Sequence, residues 1–200
     1  MKIGFLGGTF DPPHVGHLAL ASAALEQLVL DEVMFVPAGR NPFKARSRTT
    51  PAKTRLEMVE LAIEGEPRFS VTDIETTRPG PSYTVDTLEE LAMARPAEYW
   101  VLVGADVLTG FADWRLPRRV LQLGRLGVAN RPPSTRETAE RVLPDWILER
   151  VDWIATDLPN ISATDIRSMI VRGRRIDRWV PPKVAAFIAD HALYRTMEAS

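Results

Sequence analysis

Short, continuous apolar runs alternate with amphipathic stripes along this 200-residue chain, and that alternation restricts the fold more than any other feature. Ile3 to Leu6 is an apolar run closed by Gly7-Gly8, read as a buried strand. From His14 the pattern changes. Leu18, Ala21, Leu25 and Leu28 recur at spacings of three and four, the period of one helical face. Glu32 to Pro37 (EVMFVP) predicts a second strand. Thr50-Pro51 opens a second helix with Leu56, Val59 and Ile63 as its stripe. Arg68 to Ile74 suggests a third strand, and Ser82 or Thr84 is placed to cap a helix carrying Val85, Leu88 and Leu91. Tyr99 to Val103 (YWVLV) is wholly apolar. Leu126 to Ala129 and Val151 to Ala155 are further strand candidates. A helix starts at Ser162, and Val184, Phe187 and Ile188 mark a last one.

Strands and helices in this alternation predict parallel βαβ units. Apolar runs without polar interruption fit a sheet covered on both faces. The expected fold is α/β: a doubly wound, Rossmann-like parallel sheet with helices on both faces and a small helical C-terminal part. No internal repeat or low-complexity linker divides the chain, so residues 1–200 read as a single domain. The stretches Pro37–Pro51 and Asn130–Pro144 are long and polar, as functional loops in such folds often are.

Charge and cysteine content narrow the function classes. The formal net charge is -1, so no global field favours nucleic acid or an anionic membrane, and any anion site must be built locally. The chain has no cysteine, which excludes disulfides, thiol catalysis and cysteine-ligated zinc and fits a reducing compartment. The N-terminal MKIGFLGG is too short an apolar run for a signal peptide or a membrane span. A cytoplasmic protein without nucleic-acid or membrane partners is expected. Self-association is left open.

The segment GFLGGTFDPPHVGHLAL, Gly4 to Leu20, joins the first strand to the first helix. Such a junction suits phosphate, because free N–H groups and the dipole at a helix N-terminus both favour an anion. In a doubly wound sheet the crevice lies beyond the carboxyl ends of the strands. The glycines match neither G-x-G-x-x-G nor a Walker loop. What the segment offers is H-x-G-H. His14 and His17 share a helical face, and Gly16 between them carries no side chain. Two imidazoles can donate hydrogen bonds to phosphate oxygens as charge builds at phosphorus. A metal pair would need a third ligand, and no cysteine or carboxylate nearby supplies one; no metal site is expected. A purely structural turn accounts for the glycines and prolines but not for both histidines.

Gly7 to Leu18 (GGTFDPPHVGHL) resembles the N-terminal signature of the nicotinate mononucleotide adenylyltransferases, within the H-x-G-H nucleotidyltransferase superfamily. Ile161 to Arg167 (ISATDIR) is similar to the second motif of that superfamily. PSYTVDTLEEL, LVGADVLTGFADW, NRP and VAAFIADHALY follow the family's order, so the resemblance covers almost the whole chain.

The resemblance implies transfer of the adenylyl group of ATP to nicotinate mononucleotide, yielding deamido-NAD and pyrophosphate. It implies that His14, His17 and Arg167 act on the phosphates. The ATP site would be completed by Gly8, Thr9 and Phe10 and by Lys44, Gly104, Asp106, Ser162 and Thr164. The nicotinate would lie against Tyr83, Thr84, Trp114 and Arg115, with backbone amides near Thr84 and Arg115 on the ring carboxylate. Mg²⁺ would be bound through the ATP phosphates with few protein ligands. Read as residues alone, Ser162-x-x-Asp165 is a helix-capping pattern, Asp106 a helix cap and Trp114 a core residue. The chain departs from the family pattern at Phe43, where many members have histidine, and at Ala163, where a serine is frequent. The alternatives are another H-x-G-H transferase, acting on nicotinamide mononucleotide or pantetheine phosphate, and a non-catalytic nucleotide sensor. The basic runs at 117–119 and 172–175 are read as solvated surface.

Overall fold

The structure is a computed structural model, and residues 1–42 and 49–195 are described. Six parallel strands form one sheet in the order β3-β2-β1-β4-β5-β6. They are β1 (Lys2–Gly8), β2 (Glu32–Pro37), β3 (Phe69–Val71), β4 (Glu98–Gly104), β5 (Gly124–Asn130) and β6 (Val151–Asp157). Among the described residues, ten α-helices connect and flank them: α1 (Val15–Gln27), α2 (Ala52–Ile63), α3 (Ile74–Thr77), α4 (Thr84–Ala94), α5 (Ala105–Leu108), α6 (Pro117–Leu123), α7 (Arg136–Glu140), α8 (Asp145–Leu148), α9 (Ala163–Val171) and α10 (Pro182–Asp190). This is the doubly wound α/β fold that the alternation of runs and stripes predicts.

The order reverses between β1 and β4, which pair directly, with Ile3 opposite Tyr99 and Phe5 opposite Val101. The chain leaves β1 toward one side of the sheet and β4 toward the other. The two loops diverge at the carboxyl ends and open a crevice between them, the ligand position of this topology.

Alternation along the strands divides the core. Ile3, Phe5, Tyr99 and Val101 face a cluster with Leu88 and Leu91 of α4 and Val120 of α6. Leu6, Val33, Phe35 and Leu102 face a second cluster with Leu20, Ala24 and Leu25 of α1 and Val59 of α2. Because both faces are covered, β1, β2 and β4 read as unbroken apolar runs. A third cluster joins Met58 of α2 to Ile166 of α9 and to Val184, Phe187 and Ile188 of α10. It is the helical C-terminal part. It also steadies the start of α1, since the Val15 N–H donates to the Trp179 carbonyl at 2.9 Å.

Local differences from the sequence reading have local causes. The third strand is three residues long, Phe69–Val71, because Thr72 already turns into α3. Neither Ser82 nor Thr84 caps α4: Tyr83 is the N-cap without a side-chain bond, and Thr84 is the first helical residue. The Ser82 hydroxyl is engaged elsewhere, accepting the Gly39 N–H at 3.0 Å. In α2 the buried residues are Arg55, Met58 and Val59, so the predicted stripe hides an arginine that periodicity did not reveal.

Candidate active site

The turn from β1 into α1 is built to present two imidazoles. Phe10 adopts a positive φ of 50°, and its ring is buried against Phe35. His14 is the N-cap of α1. The Gly16 N–H donates to His14 Nδ1 at 3.2 Å, and the His14 N–H donates to His17 Nδ1 at 3.1 Å. H-x-G-H is therefore a reciprocal capping box in which imidazoles replace the usual hydroxyl and carboxylate. An acceptor role at Nδ1 places the proton of a neutral imidazole on Nε2. Both rings thus carry their donor on the nitrogen away from the backbone. The rings stack with centroids 3.7 Å apart, and Phe10 packs edge-on to His17 at 4.9 Å. A Cβ on Gly16 would lie 3.1 Å from the His14 ring, so this glycine makes room for the imidazole.

His14 is only 5% exposed. Burial, helped by the positive charge of Arg131 and opposed by Asp165, lowers its pKa to about 4. At neutral pH it is an uncharged hydrogen-bond donor.

Between the two loops lies a cavity of about 600 Å³. One wall is the β1 end and α1, with Gly8, Thr9, His14 and His17. The other carries Gly104, Tyr83, Thr84, Trp114 and Arg115. Trp114 is both core and lining: half-buried, it packs on the first core cluster and lies 5.1 Å from the Phe111 ring. Thr84 opens the 11-residue helix α4, whose first N–H groups and dipole favour an anion there. The Arg115 guanidinium turns to Asp86 at 3.3 Å and lies over the Tyr83 ring at 4.7 Å.

Other expected residues stand beside this lining rather than in it. The Phe10 side chain is core. Asp106 does not cap α5, whose N-cap is Gly104; its carboxylate meets Arg131 at 3.3 Å. Ser162 caps α9, accepting the Asp165 N–H at 3.1 Å. Arg167 donates to the Asp11 carbonyl at 2.7 Å and to Thr164 Oγ1 at 3.2 Å, tying the second motif to the first. Lys44 and the Phe43 departure lie outside the described residues.

Several lining residues escaped the residue-level reading, Arg131, Asn41 and Glu75 among them. Arg131, the arginine of NRP, donates to the Ile161 carbonyl at 2.9 Å and so joins the end of β5 to the second motif. Asn41 donates to Thr9 Oγ1 at 3.2 Å. Glu75 accepts from Thr87 Oγ1 at 2.6 Å, and burial raises its pKa. The order of NRP in the chain marks Arg131; Asn41 and Glu75 carry no sequence signal of this kind.

The cytidylyltransferase-like family model matches residues 5–169. A relative from Thermomicrobium roseum, named "Probable nicotinate-nucleotide adenylyltransferase", is 41% identical over 201 residues, covering 99% of this chain and 94% of the relative. A relative of the same name from Thermus thermophilus is 41% identical over 197 residues, covering 98% and 100%. The chain belongs to the cytidylyltransferase-like family, among the nicotinate-nucleotide adenylyltransferases. The fold agrees. A solved nicotinic acid mononucleotide adenylyltransferase from Plasmodium falciparum, complexed with NaAD, superposes with a TM-score of 0.78 at 16% identity, covering 96% of this chain and 97% of that one.

The cavity is lined by imidazole and guanidinium groups, with His14, His17, Arg115 and Arg131 among them. Among the described residues no group of three or more His, Asp or Glu is placed to hold a metal ion. No helix among them is long and apolar enough to cross a membrane.

Proposed function

We propose that this chain transfers the adenylyl group of ATP to nicotinate mononucleotide, releasing pyrophosphate and forming deamido-NAD. The carrying observation is the imidazole capping box, which fixes two Nε2 donors at the wall of a cavity wide enough for both nucleotides. A phosphate oxygen of the mononucleotide attacks the α-phosphorus of ATP. The bond from that phosphorus to the bridging oxygen breaks, and pyrophosphate leaves with the electron pair. The attacking phosphate has a second pKa of about 6 and needs no strong base at neutral pH. Catalysis then rests on alignment and on donors aimed at developing charge. His14 and His17 supply these from one side. Arg167, Ser162 and Thr164 stand behind them on α9, with Gly8 and Thr9 along the ATP and Gly104 and Asp106 at the end of β4.

Mg²⁺ belongs on the phosphates. The described residues offer N–H and guanidinium donors for anions and, among them, no carboxylate cluster, a set that fits a metal carried by its substrate. When bound it neutralises charge on the triphosphate. One sheet carries both walls of the cavity, which supports a single catalytic domain. Use of ATP together with the absence of cysteine supports a cytoplasmic setting.

Tyr83, Thr84, Trp114 and Arg115 form the nicotinate side. The N–H groups opening α4 match a ring carboxylate, whereas the amide of nicotinamide mononucleotide would turn donors toward donors. Each buried mismatch costs ~1–3 kcal/mol, so one or two give roughly ten- to several-thousandfold in kcat/KM. The test is pyrophosphate release with each mononucleotide at matched ATP and magnesium. A strong preference for the acid is expected. Equal use, or preference for the amide, would overturn the donor-lined pocket.

A further inference from the structure

Asp11 is 4% exposed and does not line the cavity. Its carboxylate is held from two distant parts of the chain. Tyr194 donates its hydroxyl to Oδ1 at 2.6 Å, and the Thr50 N–H donates to Oδ2 at 3.1 Å. Its main-chain carbonyl accepts from Arg167 Nη1 at 2.7 Å. Asp11 is thus where the C-terminal segment, the start of α2 and the second motif converge on the β1–α1 turn.

Tyr194 lies beyond α10, with a φ of 62°. That region is unfavourable for a bulky side chain and persists only where surroundings hold it. Here the Leu193 N–H donates to the Ile188 carbonyl at 3.0 Å, and Leu193 and Tyr194 pack on the third core cluster. Burial, and then the Asp11 charge, push the phenol pKa far upward, so the hydroxyl remains a donor. Pro12 and Pro13 separate Asp11 from His14. Proline fixes φ, so this link is stiff, and displacement of Asp11 passes to the His14 cap.

We infer that Tyr194 is a positioning residue for adenylyl transfer, setting through Asp11 the placement of the His14 imidazole and of Arg167. This rests on the adenylyltransferase reading. Tyr194 touches no substrate. It holds the phosphate side of the cavity and leaves the nicotinate side, built on α4 and Trp114, alone.

The test is steady-state kinetics of Tyr194→Phe with ATP and nicotinate mononucleotide, normalised to folded protein by thermal melting. A kcat loss of about tenfold with the KM for nicotinate mononucleotide within about twofold is expected, since small misplacement of reacting groups acts on turnover. Val184→Ala thins the third core cluster without touching the Leu193–Tyr194 segment; it should lower Tm and keep kcat. In an Asp11→Ala background, where the acceptor of the Tyr194 hydroxyl is gone, Tyr194→Phe should have little further effect, because coupled partners are non-additive. Wild-type kcat per folded Tyr194→Phe molecule would overturn the inference. So would an equal kcat loss in Val184→Ala, or an undiminished effect in the Asp11→Ala background. If wild-type protein itself releases no pyrophosphate from these substrates, the functional reading fails instead.

Discussion

His14 and His17 cap the helix that presents them, and this double duty separates their substitutions. His14 accepts the Gly16 N–H through its own side chain, so its loss removes a cap as well as a donor. His17 lies inside the helix, where the higher propensity of alanine offsets part of the lost bond to the His14 N–H. His17→Ala should therefore fold and lower kcat on the order of a hundredfold or more, as does loss of a preorganised donor, while changing the KM for mononucleotide little. Pyrophosphate-release kinetics on the variant checks this. An effect confined to KM would remove His17 from the transition state.

Helix α2 holds the site through one residue. The Arg55 guanidinium is 1% exposed, and its partners are backbone carbonyls: Thr50 at 2.8 Å, Thr9 at 2.7 Å, Ala38 at 2.7 Å and Gly39 at 3.2 Å. It joins the loop after β1, the loop after β2 and the start of its own helix. Burial lowers its pKa, and Asp11 opposes that shift. Arg55→Met keeps the stem and leaves these carbonyls without their donor. At about 1–3 kcal/mol for a buried unsatisfied group, a loss of several kcal/mol is expected in urea unfolding. A loss under about 1 kcal/mol would show that the loops hold without the arginine.

For the molecule as a whole, the buried histidine links stability to pH. His14 has a pKa near 4 when folded against a model value of 6.5. The unfolded chain binds the proton more readily, so this contribution is complete above pH 6.5 and is lost progressively as pH falls toward 4. One pKa unit corresponds to about 1.4 kcal/mol, so the full effect is on the order of 3 kcal/mol. Glu75 acts oppositely: its raised pKa adds stability at low pH that fades as pH rises. Comparison with His14→Asn, which keeps a capping oxygen, cancels the glutamate. The wild-type Cm should fall more steeply than the variant's between pH 6.5 and 4; parallel curves would contradict a buried neutral His14.

The sequence by itself determined the architecture and the H-x-G-H turn that opens α1. Period-two and period-3.6 signals are local, and H-x-G-H lies within a single turn, so both are legible from neighbouring residues. Ser162 as the cap of α9 was readable for the same reason. Only the tertiary structure decided what depends on residues far apart. Arg55 sits among apolar positions like any surface arginine, and its burial follows from two loops and the start of its own helix converging on it. Asp11 and Tyr194 are 183 positions apart, and no periodicity connects them. Trp114 could not be assigned to core or pocket from its type, because an indole serves either; its placement between Phe111 and the cavity makes it both. Hydrogen-bond partners of buried charges are set by packing, and packing is a property of the whole chain.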